Sequence, residues 1–255
     1  MSASDIAYQI RGNGPALVLI SGLGGLGAFW EPVQARLSEH YSVITFDHPG
    51  TGKSQRVVPQ HIDAIVTAVL DILHTEQIES AHLVGHSTGS IVTQAMALDH
   101  RERCAKIVLS GGWARVDARF RDLFAYRKFL LQKVGGAAYT ALSQLGGYDG
   151  RWYSEHLAKP GLPDFEAVSS INIDTVVSRI DMLLGYERAD ELGKLDIETL
   201  VIGASDDFIV PLYHSEDLAR RIPGARLIQT MGGHFFPQVD PGAFSEQIMT
   251  FLGGR

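Results

Sequence analysis

Leu83-Val84-Gly85-His86-Ser87-Thr88-Gly89-Ser90-Ile91-Val92 is the stretch that decides the fold. Leu83-Val84 reads as a short buried strand, and a helical pattern starts near Ser90 and runs through Ile91 to Leu98. Between them lies Gly-x-Ser-x-Gly in the strand–turn–helix setting that turns a serine into a nucleophile. A sharp, strained turn projects Oγ from the sheet, and the flanking glycines let neighbouring backbone come close without Cβ clashes. The helix N-terminus behind the serine offers a backbone N–H and a positive dipole end to a developing oxyanion. A chance match in a glycine-rich chain is the competing reading, and only partners elsewhere in the chain can decide against it.

Outward from this turn, short apolar runs alternate with helical patterns. Ala16 to Ile20 (ALVLI), Val43 to Phe46, Ile107 to Leu109 and Leu200 to Ile202 read as strands buried on both faces. Asp5 to Ile10 is expected as an N-terminal edge strand, and Arg226 to Ile228 as a short late one. Phe29 to Leu37 and Ile62 to Leu73 carry apolar residues at helical spacing. Strands alternating with helices predict an α/β domain with a mostly parallel sheet flanked by helices. The alternation stops after Ser110. From about Arg115 to Asp190 the pattern is helical and irregular, with Val176, Ile180, Leu183 and Leu184 on one apolar face. The expected organisation is therefore a core of 1–114 and 191–255 with a helical cap, or lid, inserted at 115–190.

Two other glycine-rich signals compete. Gly22-Leu-Gly24-Gly-Leu-Gly27 matches the dinucleotide fingerprint, with Asp47 at the end of the next strand as its acid. Against it, a strand before this unit is expected, whereas nucleotide folds usually begin with the unit itself. Gly52-Lys53-Ser54 ends like a phosphate loop, but the glycine required five residues earlier is Asp47, whose carboxylate would oppose phosphate.

The bulk properties narrow the function. At 255 residues and 45% hydrophobic content the chain can build one sizeable core. A net charge of −7 argues against a nucleic-acid partner, which favours a basic face. No apolar run is long enough to span a bilayer, and MSASDIAYQI lacks the pattern of a secretory leader. Cys104 is the single cysteine, so no internal disulfide forms. A cytoplasmic protein acting on a small molecule is expected, with no membrane or nucleic-acid partner and no cofactor. A metal site has no support in the sequence, which carries neither HExxH nor paired CxxC.

A serine hydroxyl needs a base, and the base needs an orienting acid. When the nucleophile stands in such an elbow, the chain order is serine, acid, histidine. After the strand at Leu200 comes Gly203-Ala-Ser-Asp206-Asp207-Phe-Ile-Val-Pro211, and after Arg226 to Ile228 comes Gly232-Gly233-His234. Both acids and this histidine follow strands that end on the edge where Ser87 lies, the edge that carries ligand sites in such sheets. His214 falls on a predicted helix, His86 in the variable slot of the elbow and His156 in the insertion, so His234 is the expected base.

Along nearly its whole length the chain resembles the α/β-hydrolase superfamily. The matching stretches are Ser21-Gly-Leu-Gly-Gly25, Phe46-Asp-His-Pro-Gly-Thr-Gly-Lys-Ser54, Gly85-His-Ser-Thr-Gly89, Asp206-Asp-Phe-Ile-Val-Pro211 and Gly233-His234. Within it the nearest likeness is to the aminoacrylate hydrolases of the pyrimidine-utilisation pathway, through Leu19-Ile-Ser-Gly-Leu-Gly-Gly25, Gly112-Trp113 and Ala204-Ser-Asp-Asp207 with Val210-Pro211. The 3-oxoadipate enol-lactonases look similar at the same level. The resemblance implies the α/β-hydrolase fold with a helical lid. It selects Asp207, four residues before Pro211, as the acid and leaves Asp206 as a turn residue. It places the oxyanion donors at the backbone N–H groups of Leu23 and Thr88. Some of these relatives lack the elbow serine that this chain has at Ser87, and many carry His where this chain has Ser21.

The expected chemistry is hydrolysis of a small ester, lactone, amide or aminoacrylate-like compound by Ser87, His234 and Asp207. C–C bond hydrolysis or cofactor-free perhydrolysis on the same residues, and a non-catalytic ligand-binding role, are the alternatives. Gly22 and Trp113 are candidate substrate contacts, though Trp113 reads equally well as a core residue at the lid junction. Among the lid arginines Arg115, Arg119, Arg121 and Arg127, one is a candidate to bind a substrate carboxylate.

Overall fold

The structure, a computed structural model, describes residues 5–55, 59–157, 164 and 167–253. Its framework is a sheet of β1 (Tyr8–Arg11), β2 (Ala16–Ile20), β3 (Ser42–Phe46), β4 (Ala81–His86), β5 (Cys104–Ser110), β6 (Thr199–Ala204) and β7 (Arg226–Thr230). The strand order is β1-β3-β2-β4-β5-β6-β7; β1 runs antiparallel to β3 and every other pairing is parallel. The expected N-terminal edge strand is present but begins at Tyr8. Before it, Asp5 and Ala7 accept backbone hydrogen bonds from Gln55 and Asp47 at 2.9 Å, which tie the segment to the loop after β3.

The apolar runs of the central strands follow from burial on both faces. Val18, Ile20, Leu83, Ile107 and Leu109 point into one apolar cluster, and Leu17, Leu19, Val84, Val108 and Ile202 into a second on the opposite face. Burial removes the alternation of polar and apolar residues that a half-solvated strand shows. Helix α1 (Glu31–Leu37) and α10 (Pro241–Leu252) cover the second face. Helices α2 (Ile62–Thr75), α3 (Thr88–Asp99) and α8 (Leu212–Arg221) lie on the first. In α2 the buried Ile62, Ile65, Val66, Val69, Ile72 and Leu73 recur at three- and four-residue spacing, which lays one apolar stripe on the core.

Between β5 and β6 the described residues form four further α-helices, α4 (Ala118–Lys133), α5 (Gly136–Gly147), α6 (Gly150–His156) and α7 (Ile173–Leu184). Asp117, Asp149 and Asn172 cap α4, α6 and α7 by accepting first-turn N–H groups. Phe120, Phe124, Leu131, Ile180 and Leu183 from this segment join the same apolar cluster as Val18 and Ile20. The insertion therefore packs as part of the main core. Residues 158–163 and 165–166 of the stretch expected to form the cap lie outside the described residues. The short α9 (Phe236–Val239), followed by α10, completes the fold. Among the described residues no helix is long and apolar enough to cross a membrane.

Backbone meets backbone closely where α3 meets the sheet. A Cβ on Gly89 would stand 2.1 Å from the carbonyl oxygen of Ile20, and one on Gly85 2.1 Å from that of Gly89. Neither neighbour is a flexible side chain, so backbone would have to move. We expect Gly89→Ala to lower stability by about 1–3 kcal/mol, the usual cost of overpacking. Urea unfolding checks this; a midpoint unchanged from the parent would mean that α3 is free to shift.

Candidate active site

The elbow places Ser87 at φ 55 and ψ −118, a left-handed conformation rare for a residue with a side chain. Its N–H donates to the carbonyl of Ser110 at 2.8 Å, which ties the turn to the end of β5, and its carbonyl accepts from Ser90 at 2.8 Å. Strand β4 thus delivers the hydroxyl to the carboxyl edge of the sheet, beside the point where the strand order reverses.

The loops after β6 and β7 reach the same point. His234 Nε2 lies 2.9 Å from Ser87 Oγ, and His234 Nδ1 lies 2.7 Å from Asp207 Oδ2. The other carboxylate oxygen of Asp207 accepts the N–H groups of Ile209 and Val210, each at 2.8 Å. All three residues are buried. Such an array fixes the histidine with Nδ1–H toward the carboxylate and the Nε2 lone pair toward the serine. Asp206 plays a different part. Its carboxylate accepts the Gly232 N–H at 3.0 Å and shapes the loop that presents His234. The following residue, Phe235, donates its N–H to Gly147 of α5 at 2.8 Å, so the insertion also holds that loop.

Ser87 and His234 open onto a cavity of about 730 Å³, within the size range of small-molecule sites. Gly22, Leu23 and His86 line it on the sheet side, and Phe124, Arg127, Tyr139, Ser143 and Asn172 on the insertion side. Gly22 packs beside the nucleophile: a Cβ there would stand 3.1 Å from Ser87 Cβ and 3.6 Å from Oγ. The Leu23 N–H has no protein acceptor among the described residues. Thr88 lies in the first turn of α3, where N–H groups lack helical acceptors; its side chain is buried off the cavity wall.

Trp113 does not reach the cavity. It is fully buried, its ring lies 4.6 Å from that of Phe120, and its carbonyl accepts from Gln94 at 3.0 Å. The expectation of a pocket wall is thus corrected to a core role, because the chain turns inward after β5 and buries the indole beneath α4. Among the lid arginines, Arg115 pairs with Asp190 at the surface, Arg119 donates to the Phe208 carbonyl and Arg121 is exposed. Only Arg127 of the four lines the cavity. It is 7% exposed, lies between the Phe124 and Tyr139 rings, and donates to Tyr139 Oη and Ser143 Oγ at 2.9 and 3.0 Å.

Near the site stand His86, set aside above as a base, and two groups to which the sequence reading gave no role, His48 and Arg179. His86 is buried between Phe29 and His234, with ring centroids 5.2 and 4.9 Å away, and accepts or donates at Ser110 Oγ through Nδ1. Burial, aided by the neighbouring His234, pushes its pKa well below the usual value and keeps it neutral. His48 is likewise held neutral by burial and by the Arg179 guanidinium beside it. Arg179 itself is fully buried; desolvation pulls its pKa down to about 10, so it stays cationic at neutral pH. The fingerprint acid Asp47 is engaged internally, accepting the Gly27 and Lys53 N–H groups at 2.9 Å each.

Comparison with known proteins agrees with this arrangement of strands and loops. The sequence profile of the α/β hydrolase fold matches residues 15–241. A protein of Azorhizobium caulinodans named "Putative carbamate hydrolase RutD" is 34% identical over 253 residues, covering 98% of this chain and 96% of its own. Among solved structures, a hydrolase from Pseudomonas aeruginosa superposes with a TM-score of 0.85 at 25% identity, covering 98% of this chain and 94% of its own. The enol-lactonase from Burkholderia xenovorans gives a TM-score of 0.87 at 23% identity, covering 97% and 96%, and so shares the fold. With the profile spanning most of the chain and the relative matched end to end, the chain belongs to the α/β-hydrolase family.

Proposed function

We propose that the protein is a serine hydrolase of small acyl compounds, and the observation that carries this is the unbroken chain of short contacts from Ser87 Oγ through His234 to Asp207. Ser87 Oγ attacks the carbonyl carbon while His234 Nε2 takes the hydroxyl proton. The tetrahedral oxyanion is met by the N–H groups of Leu23 and Thr88, fixed dipoles that need no reorganisation as charge develops. His234 then returns the proton to the leaving group as the C–O or C–N bond breaks, leaving an acyl-serine. Water, deprotonated by the same nitrogen, attacks this ester and restores Ser87. Asp207 holds the tautomer and stabilises the imidazolium; its second oxygen, occupied by two backbone N–H groups, keeps the carboxylate from rotating away. The reaction draws on no cofactor.

Arg127 supports an acidic substrate. Its hydrogen-bond partners are neutral hydroxyls, and the guanidinium sits on the cavity wall between two aromatic rings with no acceptor for Nε and no carboxylate paired with it among the described residues. A ligand carboxylate or carbamate supplies the missing charge in a planar geometry suited to guanidinium. The name of the RutD relative adds a carbamate, and that of the enol-lactonase a lactone, to the acyl groups worth testing first.

A panel of short p-nitrophenyl esters, lactones and carbamates tests this reading. Ser87→Ala is expected to remove nearly all turnover, by about a million-fold on the scale of a well-studied protease. Asp207→Asn should cost about ten-thousand-fold and Asp206→Asn far less. Full turnover in clean Ser87→Ala, with no covalent adduct on Ser87 of the parent, would refute the serine mechanism.

Arg127→Met should lower kcat/KM for a carboxylate-bearing ester relative to its neutral isostere by about 1.5–3 kcal/mol, the worth of a charged hydrogen bond. Trp113→Ala should instead destabilise the fold by about 3–5 kcal/mol and leave that ratio unchanged. A ratio that ignores Arg127 would place the acid subsite elsewhere.

A further inference from the structure

Arg179 on α7 is the one fully buried arginine among the described residues, and no carboxylate pairs with it there. Nη2 donates to His48 Nδ1 at 2.7 Å and to the Gly22 carbonyl at 3.3 Å, while Nε and Nη1 have no partner among the described residues. Burying an uncompensated guanidinium works against stability, so its retention needs another explanation. Because arginine only donates, His48 accepts at Nδ1 and carries its proton on Nε2, 3.4 Å from Ser21 Oγ. The insertion therefore reaches through one side chain to both ends of the Ser21–Gly22 segment.

The carbonyl that Arg179 holds belongs to the same peptide unit as the Leu23 N–H. In a planar trans peptide these two groups point in opposite directions. The Gly22 carbonyl accepts from Arg179 Nη2 and, at 3.0 Å, from the Gly25 N–H. Two donors on the carbonyl edge fix the plane of the unit and leave the Leu23 N–H on the other edge. Gly22 itself is packed against Ser87 Cβ, so that free N–H belongs to the wall around the nucleophile. A cationic donor on the carbonyl also polarises the peptide and strengthens its N–H as a donor.

We propose that Arg179 is a positioning residue that aims the Leu23 N–H at the oxyanion formed on Ser87, and that it makes this aim depend on the seating of α7. The inference rests on the serine-hydrolase reading above. Arg179 touches no reacting atom; it acts through the Gly22–Leu23 peptide. Its loss should therefore weaken the binding of a tetrahedral oxyanion more than that of the ground-state ester.

The test compares the parent with Arg179→Met, using p-nitrophenyl acetate as substrate and propylboronic acid as the tetrahedral probe. Rates are normalised to the serines titrated by a fluorophosphonate, so misfolded protein does not enter. Removing one oxyanion donor outright costs about 10²–10³ in kcat; misaiming it should cost about 10–100-fold. KM should stay within threefold, and boronate affinity should fall in step with kcat. A kcat within threefold of the parent overturns the proposal, as does a rise in KM at constant kcat, which would make Arg179 a substrate contact. Should Arg179→Met fail to fold, Arg179→Lys carries the test. It keeps the charge but loses the fork joining Gly22 to His48, and kcat within twofold of the parent overturns the proposal. Failure of the underlying reading looks different: the parent then shows no fluorophosphonate label on Ser87 and Ser87→Ala turns over normally.

Discussion

The left-handed backbone of Ser87 is the constraint on which the remaining structure hangs. A serine at φ 55 is strained and holds its position only if its surroundings leave no alternative. Those surroundings are backbone. The Gly89 Cα is pressed against the Ile20 carbonyl at the end of β2, the Ser87 N–H is held by Ser110 at the end of β5, and β4 lies between them. Three neighbouring strand ends thus specify one hydroxyl position. The apolar filling on both faces of the sheet explains why such a position can be kept: side chains such as Leu83 and Val84 are buried to completion and give the strands no room to slide.

The same burial sets the electrostatics around the hydroxyl. His86 and His48 are held neutral by desolvation, so the ring packed 4.9 Å from His234, that of His86, brings no positive charge to it. The Asp207 carboxylate is met by two backbone N–H groups and by His234. Against this single buried anion stand two buried arginines, Arg127 on the cavity wall and Arg179 behind the Gly22 loop, neither paired with a carboxylate among the described residues. A chain with a net charge of −7 thus sets one cationic side chain on the wall of its cavity and another behind it. Local charge and net charge answer different questions: the first concerns the ligand, the second solubility.

Much of this is legible in the sequence because it is written in local pattern. The strand runs, the elbow at 85–89 and the order of serine, acid and histidine are short-range signals with physical causes. What stays hidden depends on side-chain direction across long sequence distances. Trp113 follows a strand end, as a pocket residue would, yet the turn after it carries the indole under α4. Nothing in the spacing of Arg115, Arg119, Arg121 and Arg127 marks the last as the inward one. That choice comes from the face of α4 that meets Tyr139 and Ser143 of α5. His48 reads as part of a turn, and its partnership with Arg179 spans 131 residues. Pairings of that kind are fixed by tertiary packing, which leaves no periodic trace in the sequence.

The placement of the insertion then bears on how binding and chemistry relate. If the helices after β5 were only a cover, they would need to touch substrate and nothing else. Instead they are bonded to two loops that present reacting groups. Gly147 of α5 accepts the N–H of Phe235 beside His234, and Arg179 of α7 holds the carbonyl of Gly22. A further tie joins Ser178 Oγ to the Gln60 N–H at the start of α2. Shared core packing makes these contacts cooperative, since Ile180 and Leu183 of α7 are buried in the cluster that also holds Ile20 and Leu109. A displacement of α7 would therefore disturb the Gly22–Leu23 peptide together with the cavity wall. On the mechanism proposed above, the insertion does more than select ligands: the α7 that helps wall the cavity also fixes the peptide proposed to meet the oxyanion, so the seating of one helix bears on binding and on chemistry together.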